Sequence, residues 1–117
     1  MKVFILNNEY MGMVRQWQEL LHGSRYSETY MESLPDFVKL AEAFGGVGLR
    51  AEKPSEVDDV IKEMIAVDRA VIADIRVDKA ENCFPMIPSG AAHNEMIFST
   101  KDKPGETSIS EEGMVLV

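Results

Sequence analysis

A chain of 117 residues, 45% of them hydrophobic, has room for one small folded domain or for part of a larger one. Its formal net charge of -8, with none of the 12 basic residues gathered into a run, excludes a surface built to grip a phosphate backbone, so no nucleic acid partner is expected. The only cysteine, Cys83, leaves no route to an intrachain disulfide or a Cys-rich metal site.

The longest apolar stretches, Val3 to Leu6 and Ala70 to Ala73, are far shorter than the ~20 residues needed to cross a bilayer. No charged segment leads into an apolar one at the start, and a cytoplasmic protein is expected. Lys2 to Leu6 is a nearly continuous apolar run, which suits a strand covered on both faces of a parallel sheet and predicts a central place for it. Asn7 and Asn8 end it, because short amides compete with the backbone for hydrogen bonds and favour turns. From Gly12 to Leu21, Met13, Trp17, Leu20 and Leu21 recur at helical spacing, and Gly23 supplies the stop.

Ser24 to Leu34 is polar and aromatic without a sustained period, and reads as an ordered loop. Pro35 suits the first turn of a second helix, with Phe37, Leu40, Ala41 and Phe44 as its stripe and Gly45 and Gly46 at its end. Val47 to Ala51 reads as a short strand. Pro54 and Ser55 open a third helix, Ser55 and Asp58 having the spacing of a capping box, with Val57, Val60, Ile61, Met64 and Ile65 on one face. Ala70 to Val77 is a strongly apolar strand interrupted by Asp74. This order implies an α/β architecture with a parallel sheet. Phe84 to Gly90 is too Pro-rich for a regular element and too apolar for a solvated linker, so it is expected to cover something. Residues from about Ser99 to Glu112 are polar and charged, with Pro104 and Gly105, and read as a tail. His22 and His93 stand apart without a companion motif and read as surface or loop residues rather than metal ligands.

Ligands of open α/β sheets bind beyond the carboxyl ends of the strands, where the next helix offers its positive N-terminus to anions. Asn7 to Met13 occupies such a position. There Asn8 can offer a neutral oxygen to a hard cation, and Gly12 permits close backbone approach. The same residues equally serve a plain turn between strand and helix.

The run LNNEYMGMVRQWQ, Leu6 to Gln18, closely resembles the second half of the thiamine-diphosphate motif of acetolactate synthase catalytic subunits. The resemblance continues through RYS at Arg25 to Ser27, PDFVKLAEAFG at Pro35 to Gly45 and PMIPSG at Pro85 to Gly90. It implies the C-terminal part of a thiamine-diphosphate-binding domain over residues 1–98, with an active-site cover at 84–98 and a polar tail at 99–117. The resemblance implies thiamine diphosphate and Mg²⁺ as cofactors, with Asn8 (side-chain oxygen) and Tyr10 (backbone carbonyl) as metal ligands. It implies that Asn8, Glu9, Tyr10, Met11, Gly12 and Met13 line the cofactor, and that Trp17 and Ser89 border the substrate channel. Read without the resemblance, Trp17 is a core residue and Ser89 part of a surface turn.

The family's chemistry condenses pyruvate with pyruvate or 2-oxobutanoate on the way to valine, leucine and isoleucine. Its Gly-Asp-Gly metal segment, its activating glutamate and its FAD site match nothing in this chain, so the resemblance implies an incomplete C-terminal fragment, inactive alone. The implied partners are the missing remainder of the subunit, a second copy in a homodimer or higher oligomer, and a regulatory small subunit. Two rivals remain open. One is another carboligase of the same cofactor class, such as a glyoxylate carboligase, against which Trp17 and PMIPSG count. The other is a non-catalytic truncated or split product that acts as an interaction module.

Overall fold

Strand, helix, helix, strand, helix, strand is the order found in the computed structural model, which describes residues 1–101. The elements are β1 (Lys2–Asn7), α1 (Gly12–Leu21), α2 (Phe37–Ala43), β2 (Val47–Ala51), α3 (Pro54–Ala66) and β3 (Val71–Arg76). The polar tail expected at 99–117 lies, from residue 102 on, outside the described residues. These divide into two compact units, the first made of Met1–Tyr10 and Tyr30–Ala80, the second of Met11–Thr29 and 81–101.

In the first unit β1, β3 and β2 form a parallel sheet in that order. β1 is thus an edge strand among the described residues, where its apolar run predicts a central one. An apolar run records cover on the two faces of a strand and says nothing of how many strands flank it. The central strand is β3, in which Val71, Ala73, Asp74 and Ile75 are buried.

Helix α3 covers one face of the sheet, where Val60 packs with Ala51, Ala73 and Ile75, flanked by Leu49, Val57 and Met64. Successive residues of a strand point to opposite faces, so Gly48 faces the other side, and there α2 lies so close that an added Cβ would stand 2.4 Å from Val38 Cα. Only glycine fits.

Both helix starts differ from the predicted caps. Asp36, not Pro35, begins α2: its carboxylate accepts from the Val38 and Lys39 amides at 3.1 and 3.3 Å, leaving Pro35 outside the helix. At α3 the reciprocal acid is Glu56, one turn into a helix that starts at Pro54, and it accepts from the Glu52 and Lys53 amides at 2.9 and 3.2 Å. Proline sits at the first helical position, where its missing donor costs nothing, and the cap falls on Lys53, two residues ahead of Ser55, which makes Ser55 and Asp58 ordinary exposed positions.

Asp74, which interrupts the apolar strand in the sequence, is fully buried at the centre of the sheet. A buried charge is tolerated only when paired. It accepts from Asn7 Nδ2 at 2.8 Å and from Arg50 Nε at 3.1 Å, with Arg76 Nε at 3.6 Å. Arg50 reaches on to Asp36 at 2.9 Å, so one polar chain ties all three strands to the cap of α2.

In the second unit α1 buries Gln16 and Leu20 and leaves Met13 and Trp17 outward, so the face expected from Met13, Trp17, Leu20 and Leu21 is only partly the packed one. Gln16 is the reason: its amide finds partners inside the unit that an apolar side chain could not use. Around α1 the loop and the Pro-rich segment are fixed by side chains of the helix.

Candidate cofactor and metal site

The turn that leaves β1 belongs to the first unit and is closed by its own amides. Asn7 Oδ1 accepts from the Glu9 N–H and Asn8 Oδ1 from the Tyr10 N–H, both at 3.1 Å. This is the habit of asparagine in turns, and here Asn7 is oriented by its other bond, Nδ2 to the buried Asp74. Between the two asparagine-closed loops Glu9 adopts φ 60, a left-handed conformation unusual for a residue with a Cβ.

The Glu9 side chain is held on all sides. One oxygen accepts from Arg76 at 3.1 Å, the other from the Tyr30 hydroxyl at 3.2 Å and from Lys79. Lys79, then Tyr30 and Arg76, draw its carboxyl below the ordinary glutamate range, and Glu9 in turn holds the Lys79 ammonium above its own. The Tyr10 and Tyr30 rings lie 5.1 Å apart, with the Lys79 ammonium 5.6 Å over Tyr30. Met31 N–H donates to the Glu9 carbonyl at 2.9 Å, closing the turn against the returning chain.

The donors of this turn fit part of a magnesium shell. Mg²⁺ takes an octahedron of hard oxygens, usually including one or two carboxylates. Asn8 Oδ1 uses one of its two acceptor positions on the Tyr10 amide and keeps the other. The nearest carboxylate, Glu9, is spent on Arg76 and Lys79. Among the described residues no group of three His, Cys, Asp or Glu side chains could hold a metal. The remaining ligands would have to come from elsewhere.

Met11, Gly12 and Met13 belong to the second unit and start α1. The first turn has no acidic residue, and no side chain caps it. The amides at a helix start lack intrahelical acceptors, and with no carboxylate competing the position fits an anion such as a diphosphate. Trp17, a turn further on, is 46% exposed and Met13 74% exposed, so neither is a core residue among the described residues.

Sequence reading missed the residues that fix this unit. Gln16 Nε2 donates to the Cys83 carbonyl at 2.9 Å and to Met86 Sδ at 3.2 Å, while its Oε1 accepts from the Cys83 amide at 2.8 Å. Gln18 Nε2 donates to the Ser27 carbonyl and its Oε1 accepts from buried Thr29, both at 2.9 Å. Two glutamines in the matched run were the only signal. The expected cover is then closed on itself by reciprocal backbone bonds of 2.9 and 2.8 Å between Met86 and Ile97. Ser89 is exposed in a turn closed by Ala91 N–H on the Pro88 carbonyl at 3.1 Å, with Gly90 at φ 80. Asn82 is buried with neither side-chain polar atom bonded among the described residues. His22 and His93 are exposed, as read.

Residues 1–75 match the family model described as "Thiamine pyrophosphate enzyme, C-terminal TPP binding domain". The chain is 46% identical over 105 residues to the acetolactate synthase large subunit of Haemophilus influenzae, covering 89% of this chain and 18% of that protein. It is 42% identical over 101 residues to the isozyme 3 large subunit of Escherichia coli, covering 84% and 18%. With the mitochondrial acetolactate synthase catalytic subunit of Saccharomyces cerevisiae it shares 45% over 96 residues, covering 82% and 14%. The chain thus spans less than a fifth of the length of these relatives.

Proposed function

Because the chain belongs to the thiamine pyrophosphate enzymes through their C-terminal TPP binding domain, we propose that it is the C-terminal part of that domain in an acetolactate synthase catalytic subunit. The observation that carries this is identity of 42 to 46% to three such subunits over more than four-fifths of the chain. In this reading residues 1–98 are the domain part, 84–98 its cover and 99–117 the tail. The reaction joins pyruvate to pyruvate or 2-oxobutanoate with loss of carbon dioxide, a committed step towards branched-chain amino acids.

Thiamine diphosphate, when bound, supplies the electron sink for such chemistry, and the protein binds and orients it. Asn8, through Oδ1, and Tyr10, through its carbonyl, hold Mg²⁺; Glu9, Met11, Gly12 and Met13 complete the cofactor lining. The start of α1 stabilises the diphosphate with its amides. Trp17 narrows the acceptor end of the substrate channel, Ser89 stands at its mouth, and the cover keeps water out. FAD, where the family uses it, binds outside this chain. The working enzyme is a cytoplasmic homodimer or higher oligomer with a regulatory small subunit. No helix of the described residues is long and apolar enough to cross a membrane.

Because the chain spans less than a fifth of its relatives, it is inactive alone. The test replaces the matching C-terminal part of the Haemophilus large subunit by this chain and assays acetolactate from pyruvate with thiamine diphosphate and Mg²⁺. The expected result is acetolactate from the chimaera and none from the isolated chain. A folded chimaera that binds the cofactor and makes no acetolactate overturns the reading.

A further inference from the structure

Glu9 stands between the two proposed metal ligands, and all its polar groups are engaged. Its amide donates to Asn7 Oδ1 at 3.1 Å, its carbonyl accepts from the Met31 amide at 2.9 Å, and its carboxylate is shared by Arg76, Lys79 and Tyr30. These contacts hold φ at 60, in the left-handed region that disfavours a residue with a Cβ. The backbone of residue 9 sets where the Tyr10 carbonyl points relative to Asn8. A side chain that pins that backbone therefore governs how the two oxygens are presented.

We infer that Glu9 is a positioning residue for the metal half-site, working through its clamp to Lys79 and Arg76 and not as a ligand. The inference rests on the reading that Asn8 and Tyr10 bind the cation. A carboxylate beside a cation site could also act directly, as a ligand or as a nearby negative charge. The two roles make opposite forecasts for Lys79. If Glu9 acts directly, removing the ammonium frees its carboxylate and strengthens cation binding. If Glu9 positions, the same change loosens the turn and weakens binding. Lys79 has a side chain 55% exposed, so its replacement leaves the sheet and helices intact.

The probe is Mn²⁺ alone, titrated into the chimaera with the Haemophilus subunit, which supplies the rest of the metal shell, with paramagnetic broadening of the selectively labelled Asn8 side-chain amide followed by NMR and a thermal melt beside it. Outer-shell partners of metal ligands are worth about 10- to 100-fold in affinity. Lys79→Met is expected to raise the Mn²⁺ concentration for half-broadening about tenfold with an unchanged melt, and Glu9→Gln to act in the same direction. Lys79→Arg, which keeps a cation on Glu9, is expected to restore the wild-type titration. Tighter or unchanged binding in Lys79→Met overturns the inference while leaving the metal reading in place. No broadening at Asn8 in the wild type overturns both.

Discussion

The Gln16 side chain exchanges two hydrogen bonds with the backbone of Cys83, donating to its carbonyl at 2.9 Å and accepting from its amide at 2.8 Å. A helix side chain thereby does what a neighbouring strand would do. It fixes the start of a segment whose prolines deny it a ladder of its own. Gln16 is buried, so Gln16→Leu keeps the volume and strands both Cys83 groups. An unsatisfied buried group costs about 1 to 3 kcal/mol, but Cys83 is exposed, so water takes over part of the lost bonding and about 1 kcal/mol is expected locally. Hydrogen exchange at the Cys83 amide should then quicken by roughly fivefold. Unchanged exchange would mean that the segment is held by its Met86 and Ile97 closure alone.

Acid should unfasten the first unit through its helix caps. The Lys39 amide, with Arg50 and the Val38 amide, holds the Asp36 carboxyl below its usual range, and the Glu52 and Lys53 amides do the same for Glu56. A carboxyl whose folded pKa lies below its unfolded value of about 4 contributes stability that is complete above that value. The contribution is lost as pH falls through the depressed folded value. Helix content of the wild type, followed by circular dichroism, should therefore fall below about pH 4. Asp36→Asn and Glu56→Gln keep an oxygen to accept from the amides but remove the titrating charge. The double variant is expected to be less stable at neutral pH and to lose less between pH 5 and 3. A fall as steep as that of the wild type would place the acid transition on other carboxylates, such as Glu9.

The alternation of elements was legible in the sequence because it depends on local signals. Pro54 marks the start of α3, Val47 to Ala51 is β2 residue for residue, and the asparagines end β1. What was not legible depends on partners distant in the chain. Whether β1 is central turns on its neighbours, and Asp74 looks like a flaw in a strand until Asn7 and Arg50 are seen to meet it. Gln16 reads as a polar helix position, because nothing near it in sequence announces Cys83, 67 residues on. At the candidate site the Asn7 and Asn8 turn was readable, whereas the left-handed Glu9 was not, since its clamp is built from Tyr30, Arg76 and Lys79.

The edge position of β1 carries a solution consequence. Among the described residues its outer side pairs with no strand, and Phe4 and Leu6 are 40% and 66% exposed. An open apolar edge is a template for another chain. The isolated chain is expected to self-associate at tens of micromolar in sedimentation velocity. Leu6→Lys, a charge of the kind that protects natural edges, should shift it towards monomer without lowering its melting temperature by more than a few degrees. A wild-type chain that sediments as a monomer and melts cooperatively would show that the edge needs no cover.

Trp17 offers the sharpest residue-level test of the proposed channel. Its indole is 46% exposed, on a helix whose buried positions are Gln16 and Leu20, so the core role that an isolated tryptophan usually suggests is not the one seen. A fully buried aromatic costs about 3 to 5 kcal/mol when cut to Ala. At half exposure, with Leu filling part of the space, roughly 1.5 kcal/mol or less is expected. In the chimaera with the Haemophilus subunit, a flat ring that narrows the acceptor pocket should matter to the choice of acceptor and not to loss of carbon dioxide. Discrimination of one methylene by a pocket wall is worth about 1 to 3 kcal/mol, or about 10- to 200-fold. Trp17→Leu is accordingly expected to cut the preference for 2-oxobutanoate over pyruvate by about tenfold or more, with turnover on pyruvate alone within about tenfold of wild type. The measurement is a competition assay with both oxo acids beside a thermal melt. A product ratio that stays the same while the melting temperature falls sharply would return Trp17 to the core, since exposure in the isolated chain would then have been covered by the rest of the subunit.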